Sequence, residues 1–308
     1  MLDLSIFSRE WSAPALPVEI PHGDMPGDKV SINEGHVAKA NLIFPRLLAL
    51  LPDLLAQNPA QRAVISVCGG SGVGKSETAS LLSFYLNQLG VGAYTLSGDN
   101  YPHRIPLFND AERLRVFRVA GLRGLLDEGK YSEGHAQTLA LLMKEGVEAN
   151  PKSVQTHPWM AEYQHAGRAG LKCYLGTQKE IDFAELSAIL TKFKSGADEI
   201  FLKRMGREET ALWYDRVDMR NISVLVVEWT HGNNDLLKGV DIPILLNSTP
   251  EETLAHRKLR ARDGAPDSPF TTMVLEIEQG LLRSQAHKAK IVVSKSCELL
   301  TPEQVASL

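Results

Sequence analysis

The apolar positions of the chain change their period along its length. Over residues 33–55 they recur at helical spacing, at Val37, Ala40, Leu42, Ile43, Leu47, Leu48, Leu51 and Leu55, which predicts an amphipathic helix. Pro45 is expected to kink or divide that helix, because proline lacks an amide donor and crowds the turn before it. The period then gives way to a continuous apolar run over residues 63–68, the pattern of a strand buried on both faces. A helical pattern follows from Glu77 to Leu89 and stops at Gly90, and residues 92–97 read as a second strand. Short apolar runs recur at residues 222–227, 242–246 and 289–293. Strands alternating with helices predict an α/β chain, a three-layer sandwich with a mostly parallel central sheet.

The ends and the middle follow other patterns. The first forty or so residues are broken by Pro14, Pro17, Pro21, Gly23, Pro26 and Gly27. They form an arm that wraps its own domain, an arm that wraps a partner subunit and so makes a homodimer, or a disordered tail. Residues 1–60 are therefore set apart as arm and helix, and residues 61–308 as the main domain. Residues 101–219 read as mostly helical and polar, with Trp159, Trp213 and several tyrosines among them.

Composition narrows the class. Hydrophobic residues make up 44% and charged residues 23% of the 308, the balance of an ordinary globular protein with a sizeable core. The net charge of -4 offers no basic excess to draw nucleic acid or a membrane surface. The three cysteines, Cys68, Cys173 and Cys297, are too far apart for a zinc or redox pair, and a disulfide framework is not expected. This composition fits a reducing cytoplasm. Neither a signal peptide nor a bilayer-spanning stretch is expected.

The chemistry begins at Gly69-Gly70-Ser71-Gly72-Val73-Gly74-Lys75-Ser76, a complete G-x-x-x-x-G-K-[ST] motif between a buried strand and a helix. Glycines let the backbone curl so that successive amides face phosphate oxygens, and the following helix adds its positive end. Lys75 would reach the β- and γ-phosphates, the Ser76 hydroxyl would ligate Mg²⁺, and Glu77 completes the nucleotide-binding segment. A glycine-rich turn that merely joins strand to helix would need no Lys-Ser pair.

Later features say which reaction this loop serves. No N-K-x-D element follows, so ATP is favoured over GTP. The second strand ends in Ser97-Gly98-Asp99-Asn100-Tyr101-Pro102-His103-Arg104. Strand C-termini line the ligand crevice of an open α/β sheet, so Asp99 would stand by the γ-phosphate and take a proton from an acceptor hydroxyl. Tyr101, His103 and Arg104 would contact the acceptor, although Asp-Asn-Tyr-Pro is also plain turn chemistry. The strand over residues 222–227 ends in Glu228-Trp229-Thr230-His231-Gly232, and a carboxylate after such a run occupies the Mg²⁺-holding position. Trp229 and His231 are core or substrate wall.

These segments together resemble the uridine kinase/phosphoribulokinase family of P-loop kinases. The resemblance runs unevenly from Ala63 to Ser296 and rests on the loop, on Gly98-Asp99-Asn100-Tyr101-Pro102-His103, and on Val226-Val227-Glu228 with Gly232. It implies a nucleoside-kinase-like P-loop fold, with an aspartate at the place of Asp99 acting as base. The stretch from Glu180 to Gly196 is similar to the one ahead of that family's substrate-binding hairpin. Residues 253–263, with Arg257, Arg260 and Arg262, are similar to its arginine-rich lid, here about residues 255–270. Lid arginines neutralise the transferring phosphoryl group and exclude water on closure. The chain departs from the family pattern where Trp229-Thr230-His231 intervene before Gly232 and in a longer segment from Ile105 to Gly176, part of a substrate-covering helical insertion over about residues 105–220. A helix starting near Asp110 is expected to cover the acceptor.

The expected activity is transfer of the γ-phosphate of Mg-ATP to a hydroxyl of a small nucleoside, pentose or sugar acid, with His231 among the substrate contacts. The rival readings are an adenylylsulfate-kinase-like sulfonucleotide kinase and a regulatory P-loop ATPase without a small-molecule acceptor.

Overall fold

The structure, a computed structural model, describes residues 2–17, 20–260 and 268–307, with only the backbone of residues 259, 260 and 302. Five strands form one parallel sheet: β1 (Ala63–Gly69), β2 (Ala93–Ser97), β5 (Val224–Glu228), β6 (Ile242–Leu246) and β7 (Ile291–Val293). Their spatial order is β2-β5-β1-β6-β7. Every residue of β1 and β5 is buried, as their unbroken apolar runs require.

Helices cover both faces. On one face α1 (Glu34–Gln57) and α2 (Lys75–Gln88) share a core with β1, β5, β6 and β7. α1 runs undivided through Pro45 and Pro52. Its stripe of Ile43, Phe44, Leu47, Leu48, Leu51 and Leu55 is buried, and that packing outweighs the backbone hydrogen bonds the prolines remove. On the other face α7 (Phe183–Lys194) packs with Leu225, Val227 and Trp229.

The middle of the chain is a helical layer joined to a hairpin. Its helices are α3 (Pro106–Asp127), α4 (Glu133–Glu145), α5 (Lys152–Thr156) and α6 (Met160–Lys172). α3 and α6 touch through small residues: a Cβ at Gly124 would lie 2.3 Å from Ala166 Cβ, and one at Gly170 equally close to Ala120 Cβ. The antiparallel pair β3 (Glu199–Met205) and β4 (Leu212–Asp218) follows α7. Its polar, exposed second strand hid it inside a region that reads as helical. α8 (Pro250–Arg260), α9 (Pro269–Gln285) and α10 (Pro302–Ala306) complete the chain.

The N-terminal arm lies on its own chain. Trp11 packs between Phe44 and Tyr85, with ring centroids 4.8 and 5.5 Å away. Asp24 reaches the C-terminal end of β2. No described helix is long and apolar enough to cross a membrane.

Candidate active site

Sheet order brings the three motif-bearing strand ends together. β2, β5 and β1 are successive neighbours, and their register sets Glu228 opposite both Ser97 and Val67. The loop after β1 therefore curls beside the ends of the other two, in the crevice where an open α/β sheet binds ligands.

Glycine is required within the loop. Gly69 has φ 151°, and a Cβ there would lie 2.5 Å from the Leu246 carbonyl oxygen. Gly74 caps α2 in the left-handed region at φ 94°, with the His36 ring 2.8 Å from where its Cβ would be. The loop is braced from α1, where the buried Lys39 Nζ donates to the Val73 carbonyl at 3.0 Å. Ser71, Gly72 and Val73 complete the turn, and Glu77 is buried in the first turn of α2. A cradle whose amides no side chain can fill is suited to phosphate oxygens.

Lys75 and Ser76 stand at its mouth. Lys75 Nζ donates to the Gly70 carbonyl at 3.1 Å. Ser76 Oγ donates to Glu228 Oε2 at 3.0 Å, and Ser97 Oγ donates to Glu228 Oε1 at 2.6 Å. Burial, and then the charge of Asp99, push the Glu228 carboxyl up to about 8. A hydroxyl and a carboxylate are the hard oxygen donors that Mg²⁺ takes while keeping most positions for water and phosphate. Among the described residues no cluster of three or more His, Cys, Asp or Glu side chains forms a metal cage.

Asp99 lies in a single 3-10 turn, Gly98–Asn100, directly after β2. The turn is held on several sides. Gly98 abuts the buried Trp229, whose Cγ is 2.1 Å from where a Cβ would sit. Asn100 Oδ1 accepts the Met205 amide at 2.9 Å. Asp24 accepts the Ser97 amide at 2.7 Å and Asn100 Nδ2 at 3.2 Å.

The residues after the turn diverge. Tyr101 is buried in the core with Phe183 and Trp229, and burial pushes its phenol up. His103 Nε2 is 2.9 Å from the Gln178 carbonyl oxygen. Arg104 donates to the Tyr174 hydroxyl at 3.2 Å and lies 3.8 Å from Glu112. Both engage the outer segment after α6 instead of the loop.

A second polar cluster lies close enough to the phosphate loop for Glu278 to feel the charge of Lys75. Arg113 of α3 pairs with the fully buried Glu180 at 2.6 Å and with Glu278 of α9 at 3.5 Å. Glu180 also accepts the Gly176 amide at 2.7 Å and Asn109 Nδ2 at 3.1 Å. Burial raises the Glu278 carboxyl; Arg113 and Lys75 oppose that shift, and the charges of Glu180 and Asp99 reinforce it. His231 is buried beside Gly176 and Trp229. Desolvation holds its imidazole down at about 4, so the ring is neutral near pH 7.

The segment that resembles a lid touches the loop through Arg257. Its Cγ is 3.0 Å from where a Gly72 Cβ would lie, and its Nη1 donates to the Pro250 carbonyl and to Thr253 Oγ1, both at 2.7 Å. Its Nε is buried without a hydrogen-bond partner, a donor suited to an anion over the loop. Arg260 closes α8, with its side chain outside the described residues, as is all of Arg262.

Sequence reading missed Asp24, Arg113, Glu180, Glu278 and the α1 braces His36 and Lys39. Arg113 does lie on the helix expected to cover the acceptor. Glu180 opens the stretch that resembles the family's, without a role attached to it, and Asp24, Glu278, His36 and Lys39 belong to no motif, because single polar residues on an irregular arm or an amphipathic helix read as solvated.

A parallel sheet with the loop after its central strand and a carboxylate at the end of the neighbouring one decides the architecture. This is a P-loop nucleotide-binding fold.

No family model matches the chain. Over 238 residues, 77% of its length, it is 39% identical to a bifunctional alpha-galactosidase/sucrose kinase of Mediterraneibacter gnavus. It spans about a fifth of that relative's length, 20%. A solved structure named as a fructose transport system kinase, from Silicibacter sp. TM1040, is 14% identical at a TM-score of 0.44, over 82% of this chain and 94% of that one. A possible uridine kinase from Bacillus stearothermophilus is 16% identical at a TM-score of 0.40, over 80% and 96%.

Proposed function

We propose that the protein is an ATP-dependent kinase that phosphorylates a hydroxyl of a small carbohydrate, with sucrose the first acceptor to assay. The observation that carries this reading is the contact of Glu228 with Ser76 across the sheet, next to Asp99 and the phosphate loop. The relative's name joins two activities, and a complete phosphate loop belongs with the kinase one.

Residues 69–76 would wrap the phosphates of ATP through backbone amides, with Lys75 exchanging its Gly70 carbonyl for phosphate oxygen. Ser76 and Glu228 would hold Mg²⁺, which would neutralise charge between the β- and γ-phosphates when bound. Asp99 would orient the acceptor hydroxyl and take its proton. Arg257, beside the loop, would meet the transferring group, and Arg260 and Arg262 stand as further candidates from the lid pattern. The Arg113-Glu180-Glu278 cluster and neutral His231 would line the acceptor side. With two carboxylates to one guanidinium, that side favours an uncharged polyhydroxyl molecule over an anionic acceptor such as a sulfonucleotide. The net effect is catalysis by positioning and charge stabilisation.

The test is incubation with Mg-ATP and a panel of sucrose, hexoses, pentoses, nucleosides, glycerate and adenylylsulfate, following ADP release and the phosphorylated product. Asp99→Asn should keep nucleotide affinity and lose transfer, and Lys75→Ala should lose both. ATP hydrolysis indifferent to every acceptor would favour the regulatory ATPase, and wild-type turnover by Asp99→Asn would remove the base assignment.

A further inference from the structure

The N-terminal arm reaches the site at one residue. Asp24 sits between the edge strand β2 and the hairpin strand β3, and its side chain is 8% exposed. Each carboxylate oxygen has two partners. Oδ1 accepts the Ser97 amide at 2.7 Å and Asn100 Nδ2 at 3.2 Å. Oδ2 accepts the Tyr94 hydroxyl at 3.0 Å and lies 2.9 Å from Arg204 Nη1. Arg204 is equally buried and also donates to the Tyr94 hydroxyl at 3.0 Å. The preceding residue, Gly23, fits against Glu228, whose Oε1 is 3.7 Å from where a Gly23 Cβ would lie.

Ser97 and Asn100 bracket Asp99 at a distance of two residues and one. A carboxylate that grips both ends of a four-residue segment constrains the backbone between them. Asn100 ties the same segment to β3 directly, because its Oδ1 accepts the Met205 amide, and Arg204 ties Asp24 to that strand. Such burial of a carboxylate is costly unless charge and hydrogen bonds compensate it; two of its four contacts go to the segment that carries Asp99, and the other two to Tyr94 of β2 and Arg204 of β3. A loop that only needed to be covered would not require a buried charge.

We propose that Asp24 is a positioning residue: from the arm it holds residues 97–100 so that Asp99 meets the acceptor hydroxyl in reactive geometry. The proposal rests on Asp99 being the base. Displacement of a reacting group by about 1 Å is enough to lower a rate on the order of 100-fold. Among the described residues Asp24 has no contact with the phosphate loop or α8 and reaches Glu228 only through Ser97, so its loss acts on transfer more than on ATP binding.

The experiment compares the full chain with Asp24→Ala, Asp24→Asn, Asp99→Asn and Ile20→Ala. Ile20 packs its side chain on the core from the same arm and serves as the control for loosening the arm. Asp24→Ala should lower kcat about 10- to 100-fold with KM for ATP and Mg-ATP affinity within about twofold of wild type. Asp24→Asn, which keeps one acceptor oxygen, should recover part of the loss, and Ile20→Ala should stay within about twofold. Amide exchange gives a readout that needs no acceptor. The Ser97 amide should exchange at least about tenfold faster in Asp24→Ala, with the amides of α2 unchanged, because its buried acceptor is gone. Unchanged exchange at Ser97 would overturn the proposal, as would wild-type kcat in Asp24→Ala or a parallel fall of kcat and ATP affinity matched by Ile20→Ala. An inactive Asp99→Asn beside a normal Asp24→Ala would remove only the positioning role. A fully active Asp99→Asn would remove both it and the base on which it rests.

Discussion

Replacing His231 with phenylalanine should change how the protein's stability depends on pH. The imidazole is buried between Trp229 and the turn at Gly176, and desolvation, with the positive charges of Arg113 and Lys75, outweighs the pull of Glu180. Its pKa falls from 6.5 to about 4 on folding. Between those values the unfolded chain binds the proton and the folded chain does not, so stability rises with pH and is lost as pH falls from about 6.5 toward about 4. At pH ~5 the unfolded imidazole is almost fully protonated and the folded one almost fully neutral, a penalty of about 2 kcal/mol. The penalty grows to about 3 kcal/mol below pH ~4. Phenylalanine keeps an aromatic ring against Trp229 and cannot titrate. Urea unfolding of the nucleotide-free protein at pH ~7.5 and pH ~5 measures the effect. Other groups also weaken the wild type in acid, so the informative quantity is the difference between the two proteins. The variant should lose about 2 kcal/mol less than wild type over that interval. Equal losses would refute a neutral, buried His231 and with it the reading of this side chain as an uncharged wall of the acceptor pocket.

Two further predictions concern the strand ends. Glu228→Gln removes a carboxyl whose pKa folding raises from 4.5 to about 8, so the wild type loses stability as pH climbs through that range. At pH ~8 without metal the variant should melt above wild type while its turnover collapses, and a lower melting temperature would contradict the assigned burial cost. Gly98→Ala places a methyl 2.1 Å from Trp229 Cγ and should cost about 1–3 kcal/mol by overpacking, with a fall in kcat as the Asp99 turn shifts; calorimetry and steady-state rates would check both.

Much of the fold was legible because it rests on local periodicity. The continuous apolar runs mark strands buried on both faces, and the loop motif sits at a strand-helix junction whose geometry the glycines and Lys75-Ser76 dictate. Those features act over a few residues, so the sequence by itself determined the parallel α/β class, the phosphate loop, and Asp99 and Glu228 as acids at strand ends. Periodicity did not reveal the β3–β4 hairpin, to which only the family resemblance of residues 180–196 pointed, since exposed residues such as Trp213, Tyr214 and Asp215 carry no burial alternation to betray a strand. The sequence marked Pro45 as a kink or division, whereas α1 runs undivided through it, because burial of its apolar stripe overrides a local preference.

Only the tertiary structure decided which distant residues share the site. Asp24 and Ser97 are 73 positions apart, Ser76 and Glu228 are 152, and Arg113 and Glu278 are 165. Crossovers of a parallel sheet bring such residues together, and neither spacing nor propensity encodes those meetings. The physical reason is burial. Carboxylates such as Asp24, Glu180 and Glu228 are tolerable inside the protein only where partners from other elements converge on them, and that convergence exists only after the sheet and helices have assembled.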